Sequence, residues 1–316
     1  MLLYPLRLLP ALKELPWGGT KLKTKYHKET ELESVAESVE LAADSVIASG
    51  DDKGTALKDY IAENMAVLGT NAERFNRFPL LVKLIDAASD QPIRVHPTDE
   101  CARKCDGERS KAKLWYIIEA RRGASIICGM SHDVTREEIR RNMEEKLLDS
   151  LLQRVTVRPG DIILIEPGTI HAVGAGVTLA EISESADTTY GLAEFAHSET
   201  HDDENGVSLE KAMDAINLAP MTTPSASPKT TIFLDYETKV LASTSIFTST
   251  IINLHGCCRL HASDKSFQSL LVVDGAIDMD FEGGEGHLRK GDSLFIPADA
   301  GRYRMRGKGK FIITEI

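Results

Sequence analysis

The sequence predicts a mainly β protein made of two related β-barrels with a few flanking helices. Three observations support this prediction: short strand-like runs recur along the chain, helical periodicity is rare, and one strand-and-turn pattern occurs twice. The chain has 316 residues, of which 42% are hydrophobic, so it is long enough to bury the cores of two domains.

The strand-like runs are concentrated between residues 80 and 185. They are four to eight residues long, alternating or continuously apolar, and most end at turn-forming residues. The predicted strands are LLVKLIDA (80–87), PIRVH (92–96), LWYIIEA (114–120), SIICG (125–129), two strands within 155–176, and TLAEISES (178–185).

Helices are predicted at three places, and the clearest is the segment around 134–152. Thr135 and Glu138 have the spacing of a capping box, and apolar residues follow at intervals of four. The weaker predictions are 56–66 and 208–217, the second beginning at Ser208. We expect all three helices to pack on the flank of a sheet.

A stretch rich in Pro, Ser and Thr at 220–229 indicates a linker. It predicts a catalytic-type domain over 1–220 and a C-terminal β-barrel over 229–316. RPGDIILIEPGT (158–169) and RKGDSLFIPADA (289–300) share an R-x-G-D turn that leads into an apolar strand. This pattern is typical of cupin barrels, so the predicted architecture is a cupin-like double barrel. Arg302 occupies the place in the second copy that His171 occupies in the first, which predicts no metal site there.

Charge and cysteine usage narrow the class of partner. The formal net charge of −11 argues against nucleic acid and anionic membranes as partners. No run reaches the roughly 18 apolar residues of a membrane span. Five scattered cysteines do not suggest a disulfide framework. We therefore predict a cytoplasmic protein.

Seven motifs, in order between about residues 3 and 218, resemble the short bacterial form of type I phosphomannose isomerase. They are LPWGG (15–19), VAESVELA (35–42), FPLLVKLIDA (78–87), IRVHPTDE (93–100), SKAKLWYI (110–117), EPGTIHAVGAG (166–176) and EISESADTTYG (181–191). The resemblance implies a cupin fold and the interconversion of mannose 6-phosphate and fructose 6-phosphate through an enediol. That reaction needs a base and an electrophile to hold the developing oxyanion.

The resemblance also implies a zinc ion held by one Gln, two His and one Glu. His96 and His171 stand at the histidine positions, but Arg94 replaces the Gln and Lys113 replaces the Glu. Arginine has no lone pair to donate, and lysine can bind a metal only when neutral. At about 4 Å and an effective dielectric of about 20, a dication and a unit positive charge repel by roughly 8 kcal/mol. We therefore expect no cofactor, with zinc only if the family site survives.

The remaining site residues are also assigned by the resemblance. Lys111 and Glu181 are the candidate acid/base residues, and Asp187 and Tyr190 are candidate substrate-binding residues. Gly191 stands where the family has an arginine. Two further departures from the family pattern are Val39 in place of a tryptophan and Pro92 in place of a serine.

The two new cations predict an anion-binding pocket. Arg94 and His96 are two residues apart on a predicted strand, and so are Lys111 and Lys113, so each pair shares a face. Arg94 and Lys113 are thus predicted to bind a small-molecule sugar phosphate or a similar anion. The alternatives are that Arg94 is a surface residue near Asp99 or Glu100, and that Lys113 forms a salt bridge with an acidic neighbour.

Three functions remain open at this point. The first is a sugar-phosphate-binding or regulatory protein with little or no zinc-dependent activity. The second is an active aldose–ketose isomerase with a non-standard site, in which cationic side chains replace zinc. The third is a metal-free lyase or epimerase that acts on another sugar derivative.

Overall fold

The computed structural model describes residues 3–98, 101–102, 111–185, 189–192, 209–221 and 229–316. Strands are far more abundant than helices in these residues, which confirms the predicted mainly β fold class. The strands of the first half are β1 Leu6–Leu9, β2 Ala11–Lys13, β3 Glu37–Leu41, β4 Val46–Ile47, β5 Leu80–Asp86, β6 Arg94–Val95, β7 Lys113–Ala120, β8 Ser125–Met130 and β9 Leu152–Thr156. The others are β10 Ile162–Ile165, β11 His171–Val173, β12 Val177–Glu184, β13 Tyr190–Gly191, β14 Thr230–Ile232, β15 Tyr236–Ser243, β16 Thr248–Leu254, β17 Cys257–Ala262, β18 Gln268–Phe281, β19 Gly284–Arg289, β20 Ser293–Ile296 and β21 Gly301–Glu315.

The α-helices of the described residues are short. They are α1 Lys21–Thr24, α2 Leu57–Glu63, α3 Arg136–Glu144 and α4 Leu209–Asp214, and 3₁₀ turns cover Met65–Leu68, Thr70–Arg74 and Leu148–Leu151. Helical structure thus occurs in all three predicted segments, although Ser208 lies outside the described residues. In the described part of the chain, no helix has the length and apolarity needed to cross a membrane.

The chain divides into two compact units. The first comprises Met1–Asp86, Ala180–Ile182 and Ala226–Ile316, and the second comprises Ala87–Leu179 and Ser183–Ser225. The N-terminal 86 residues are therefore grouped with the C-terminal segment, and strand β12 contributes residues to both units. The domain division at 220–229 that the sequence suggests stays a prediction.

The first unit is built around a ten-stranded sheet. Its main path runs β14-β15-β16-β21-β18-β20-β1-β4, with β17 on β21 and β19 on β18. Strand β1 joins this sheet because Leu6 pairs with Phe295 of β20 in antiparallel register. Stacked phenylalanine rings, Phe78 on Phe267 and Phe267 on Phe295, fill the adjoining core at centroid distances of 5.3 and 5.2 Å. Strands β5, β3 and β2 form a second antiparallel array in this unit.

The two copies of the R-x-G-D pattern form the same turn. Gly160 and Gly291 have φ angles of 93° and 95°, a region that favours glycine. The carboxylates of Asp161 and Asp292 accept hydrogen bonds from the backbone N–H of the arginine three residues earlier, at 2.7 and 3.1 Å. Each turn then leads into a buried or half-buried strand, β10 or β20. The repeat seen in the sequence is therefore a repeat of local structure.

The second unit holds a five-stranded sheet, β13-β6-β11-β8-β9, and the antiparallel pair β10-β7. Helix α3 packs on it through Ile139 and Met143, which share a hydrophobic cluster with Val95 of β6 and Ile127 of β8. This packing fixes the positions of β6 and β11, the two strands that contribute most to the candidate site.

Helix α3 begins with the predicted capping box and ends earlier than its apolar spacing suggests. Lys146 takes a left-handed conformation with φ 59°, and Leu147 N–H bonds to the Asn142 carbonyl at 2.7 Å. The helix therefore closes in a Schellman motif, and residues Leu148–Leu151 continue as a 3₁₀ turn.

Replacement of Thr135 by alanine tests this cap. Thr135 Oγ1 accepts a hydrogen bond from Glu138 N–H at 3.2 Å, while Glu138 Oε2 accepts one from Thr135 N–H at 2.8 Å. We expect the variant to lose about 1 kcal/mol of stability in urea unfolding. Thr230→Ala, on the exposed edge strand β14, is the control and should change stability by less than about 0.5 kcal/mol. Equal effects of the two substitutions would contradict a capping role.

Candidate functional site

Arg94 lies on β6 between two neighbouring strands of the second unit. It is directly opposite His171 of β11 on one side and Gly191 of β13 on the other. Residues directly opposite in an antiparallel pair have their Cβ atoms about 5 Å apart on the same face of the sheet. Arg94 and His171 therefore share a face. Arg94 is half-buried, and its neighbour Gly191 is buried.

The two histidines of the site are buried and close together. His96 is 2% exposed and His171 3%, and their ring centroids are 4.9 Å apart. The Nδ1 atom of His171 lies 2.8 Å from the Thr169 carbonyl oxygen, which can only accept a hydrogen bond. Neutral His171 therefore carries its proton on Nδ1 and its lone pair on Nε2. The Nδ1 atom of His96 is held by Thr189 Oγ1 at 3.2 Å.

The two lysines lie inside the protein at the start of β7. Lys111 is 6% exposed and Lys113 is 8% exposed. Lys113 shares a face of β7 with Trp115, because the two are two residues apart on one strand. The indole of Trp115 meets the His171 ring edge-on, with centroids 5.6 Å apart. Lys113 therefore projects from the side of β7 that faces His171.

Cys128 is a further neighbour that the sequence analysis did not single out. It lies directly opposite His171 on β8. Burial raises the pKa of its thiol to about 12, and Sγ donates to Met221 Sδ at 3.0 Å. This burial favours the protonated thiol over the thiolate. Trp115 was missed as well, although its spacing of two from Lys113 is a signal in the sequence.

The other predicted site residues are placed differently. Glu181 is 2% exposed at the centre of β12, in the part of that strand that is grouped with the first unit. Tyr190 is directly opposite Val95, not Arg94, and its ring packs in the hydrophobic cluster of the second unit. The structure does not bring Tyr190 to the face that carries His171. Asp187 lies outside the described residues, and the roles of all these residues stay predictions.

The donor atoms on this face do not fit the zinc site that the resemblance implies. Two imidazoles can supply lone pairs, whereas a guanidinium cannot and an ammonium can only after losing its proton. Zinc sites in proteins use neutral histidines, thiolates and carboxylates. Within the described ranges, no cluster of three or more His, Cys, Asp or Glu residues is arranged to hold a metal ion. Arg94 and Lys113 thus bring positive charge to the two positions at which the resemblance implies metal ligands.

Comparisons with known proteins agree with the fold described above. A family model for the catalytic domain of type I phosphomannose isomerase matches residues 6–119, and one for the cupin domain of mannose-6-phosphate isomerase matches residues 236–316. Mannose-6-phosphate isomerase of Streptococcus mutans is 30% identical over 299 residues, which cover 93% of this chain and 92% of that protein. The mannose-6-phosphate isomerase ManA of Bacillus subtilis is 30% identical over 321 residues, 99% of each chain.

A solved structure extends the similarity to three dimensions. The crystal structure of mannose 6-phosphate isomerase from Bacillus subtilis superposes with a TM-score of 0.87 at 28% identity, and the match covers 99% of this chain and 100% of that one. Fold and comparisons together define a cupin-type protein of the phosphomannose isomerase class. The chain belongs to the type I mannose-6-phosphate isomerase family.

Proposed function

We propose that the chain binds a sugar phosphate on the face that carries Arg94 and His171, and that its zinc-dependent isomerisation is lost or reduced. The observation that carries this proposal is the direct cross-strand pairing of Arg94 with His171. A guanidinium at this place offers paired N–H donors to a phosphate or carboxylate, and it repels a metal ion. The proposed partner is a small sugar phosphate such as mannose 6-phosphate in the cytoplasm.

Two buried lysines lie in the same unit as this face. Lys111 and Lys113 are both below 9% exposed, and Lys113 projects from the side of β7 that faces His171. Ammonium groups can donate charge-assisted hydrogen bonds to a phosphate or a carboxylate. A phosphate bound there gains charge-assisted hydrogen bonds in a site that excludes water.

A metal-free aldose–ketose isomerase is the second candidate. The burial of both Lys111 and Glu181 favours it, since ionisable groups inside a protein are candidates for acid/base roles. In this scheme a carboxylate transfers the proton between C1 and C2, and cationic side chains stabilise the developing oxyanion in place of a metal.

A coupled assay of mannose 6-phosphate conversion to fructose 6-phosphate, with zinc and with chelator, tests the proposal. We expect saturable binding of mannose 6-phosphate by calorimetry and little turnover under either condition. Turnover that is insensitive to both additions would favour the metal-free isomerase. Turnover that rises with zinc would contradict the proposed loss of zinc chemistry.

Removal of the two cations should weaken anion binding. The variants Arg94→Ala and Lys113→Ala each remove one charged donor, and a hydrogen bond to a charged group contributes about 1.5–3 kcal/mol. We therefore expect the dissociation constant for mannose 6-phosphate to rise roughly ten- to hundredfold in each. Lys58→Ala, which removes an exposed cation of the first unit, is the control. Unchanged affinity in the Arg94 and Lys113 variants would place the ligand elsewhere.

A further inference from the structure

One glycine, Gly286, leaves a gap on the inner face of the C-terminal barrel. Strand β19 pairs with β18 so that Gly286 lies opposite Met279 and Gly284 lies opposite Phe281. Met279 is 1% exposed and belongs to the barrel core, as does Leu288, the next inward residue of β19. Gly286 therefore takes an inward position with no side chain. A Cβ atom built there would meet no atom within 4 Å.

This gap is part of a cavity of about 360 Å³ within the first unit, which we call the glycine pocket. Its volume equals that of about twelve water molecules at roughly 30 Å³ each, and it lies within the roughly 300–1,000 Å³ of small-molecule sites. Apolar side chains form its deeper wall: Met279, Leu288 and Leu294. Its rim carries aromatic and polar groups: Tyr4, Arg7, Ser49, Phe281 and Glu285.

The polar groups of the rim are held in place by their own contacts. Arg7 forms an ion pair with Asp292 at 3.2 Å and also donates to the His287 carbonyl oxygen. Ser49 Oγ accepts from Arg7 N–H at 2.9 Å, and Tyr4 Oη accepts from Asp51 N–H at 3.1 Å. A hydroxyl that accepts a hydrogen bond can still donate its own proton, so both groups can donate to a ligand.

We propose that the glycine pocket binds a neutral sugar of hexose size, at a site independent of the Arg94–His171 face. The rings of Tyr4 and Phe281 suit the apolar face of a sugar ring, and the rim hydroxyls suit its hydroxyl groups. The rim's one arginine is paired with Asp292, and the lining also carries a carboxylate, Glu285, so a neutral ligand fits better than a phosphorylated one.

Methyl NMR of the full chain, labelled at the methionine methyl groups and titrated with D-mannose, tests the proposal. Met279 lines the pocket, so its methyl signal reports binding there, whereas Met130 in the second unit is an internal control. We expect a saturable shift of the Met279 signal. Absence of any saturable shift in the wild-type protein would overturn the proposal.

A graded series of substitutions locates the site. Gly286→Ala should weaken binding, and Gly286→Leu should abolish the Met279 shift, because its side chain takes up the gap opposite Met279. Arg289→Leu is the matched control, because it adds a leucine on the exposed face of the same strand. If Gly286→Leu does not fold, Tyr4→Phe replaces it and should weaken binding about tenfold. A Met279 shift that persists in Gly286→Leu, or that is unchanged in Tyr4→Phe, would overturn the proposal.

Discussion

The double variant Arg94→Gln/Lys113→Glu is expected to bind about one zinc ion per chain, whereas the wild-type chain should bind zinc weakly. The change replaces two cations by an amide oxygen and a carboxylate, beside two imidazoles whose rings are 4.9 Å apart. That donor set suits a catalytic zinc site, with a position left open for substrate. Removing two charges that each repel a dication by roughly 8 kcal/mol should raise zinc affinity by several orders of magnitude.

Zinc content after dialysis, measured by atomic emission, is the direct test, and the coupled isomerase assay is the second. The matched control is Arg94→Met/Lys113→Met, which removes both cations and adds no strong ligand. We expect this control to stay low in zinc, which would show that ligand atoms are required as well as the loss of charge. A double variant that binds no more zinc than the wild type would mean that the site has changed beyond these two positions.

The face that Arg94 shares with His171 was partly predictable from the sequence. A spacing of two on a strand relates Arg94 to His96 and Lys113 to Lys111, because side chains alternate between the faces of a strand. Which strands are neighbours is a long-range property that local patterns do not contain. The motif resemblance predicted that His96 and His171 lie in one site, and it also suggested Tyr190 as a substrate-binding residue of that site. Register places Tyr190 opposite Val95, on the other face.

The glycine pocket shows where sequence patterns fall short. The run EGGEGHL (282–288) does not show whether Gly286 faces inward or outward, because that depends on its pairing with Met279. A shift of one residue in that register would turn the glycine to solvent and close the gap. In the same way, the pairing of Leu6 with Phe295 joins opposite ends of the chain, and no local signal indicates it.

Substitutions in the buried ion pair between Lys28 and Glu40 should lower the stability of the protein more than substitutions in an exposed ion pair of the first unit. Lys28 Nζ lies 2.7 Å from Glu40 Oε1, and the side chains are 7% and 0% exposed. The carboxylate also accepts hydrogen bonds from Ser38 at 2.6 Å and Ser293 at 3.0 Å, and the ammonium donates to the Gly291 carbonyl at 2.6 Å. The network therefore connects residues near the N-terminus to the turn before β20.

Removing one partner of this pair leaves the other charge buried without its counter-ion. We expect Glu40→Leu and Lys28→Met each to lose about 3–5 kcal/mol of stability in urea unfolding. The double variant should lose much less than the sum of the two, because neither charge then remains, and a double-mutant cycle measures this coupling.

The exposed ion pair of Lys58 and Asp44 provides the matched control for this cycle. Its atoms are as close, at 2.6 Å, but its side chains are 57% and 79% exposed. Since water already solvates both groups, Lys58→Met and Asp44→Leu should change stability little and should show little coupling. If the Lys28 and Glu40 variants behaved like this exposed pair, the connection between the N-terminal residues and the barrel would rest on apolar packing alone.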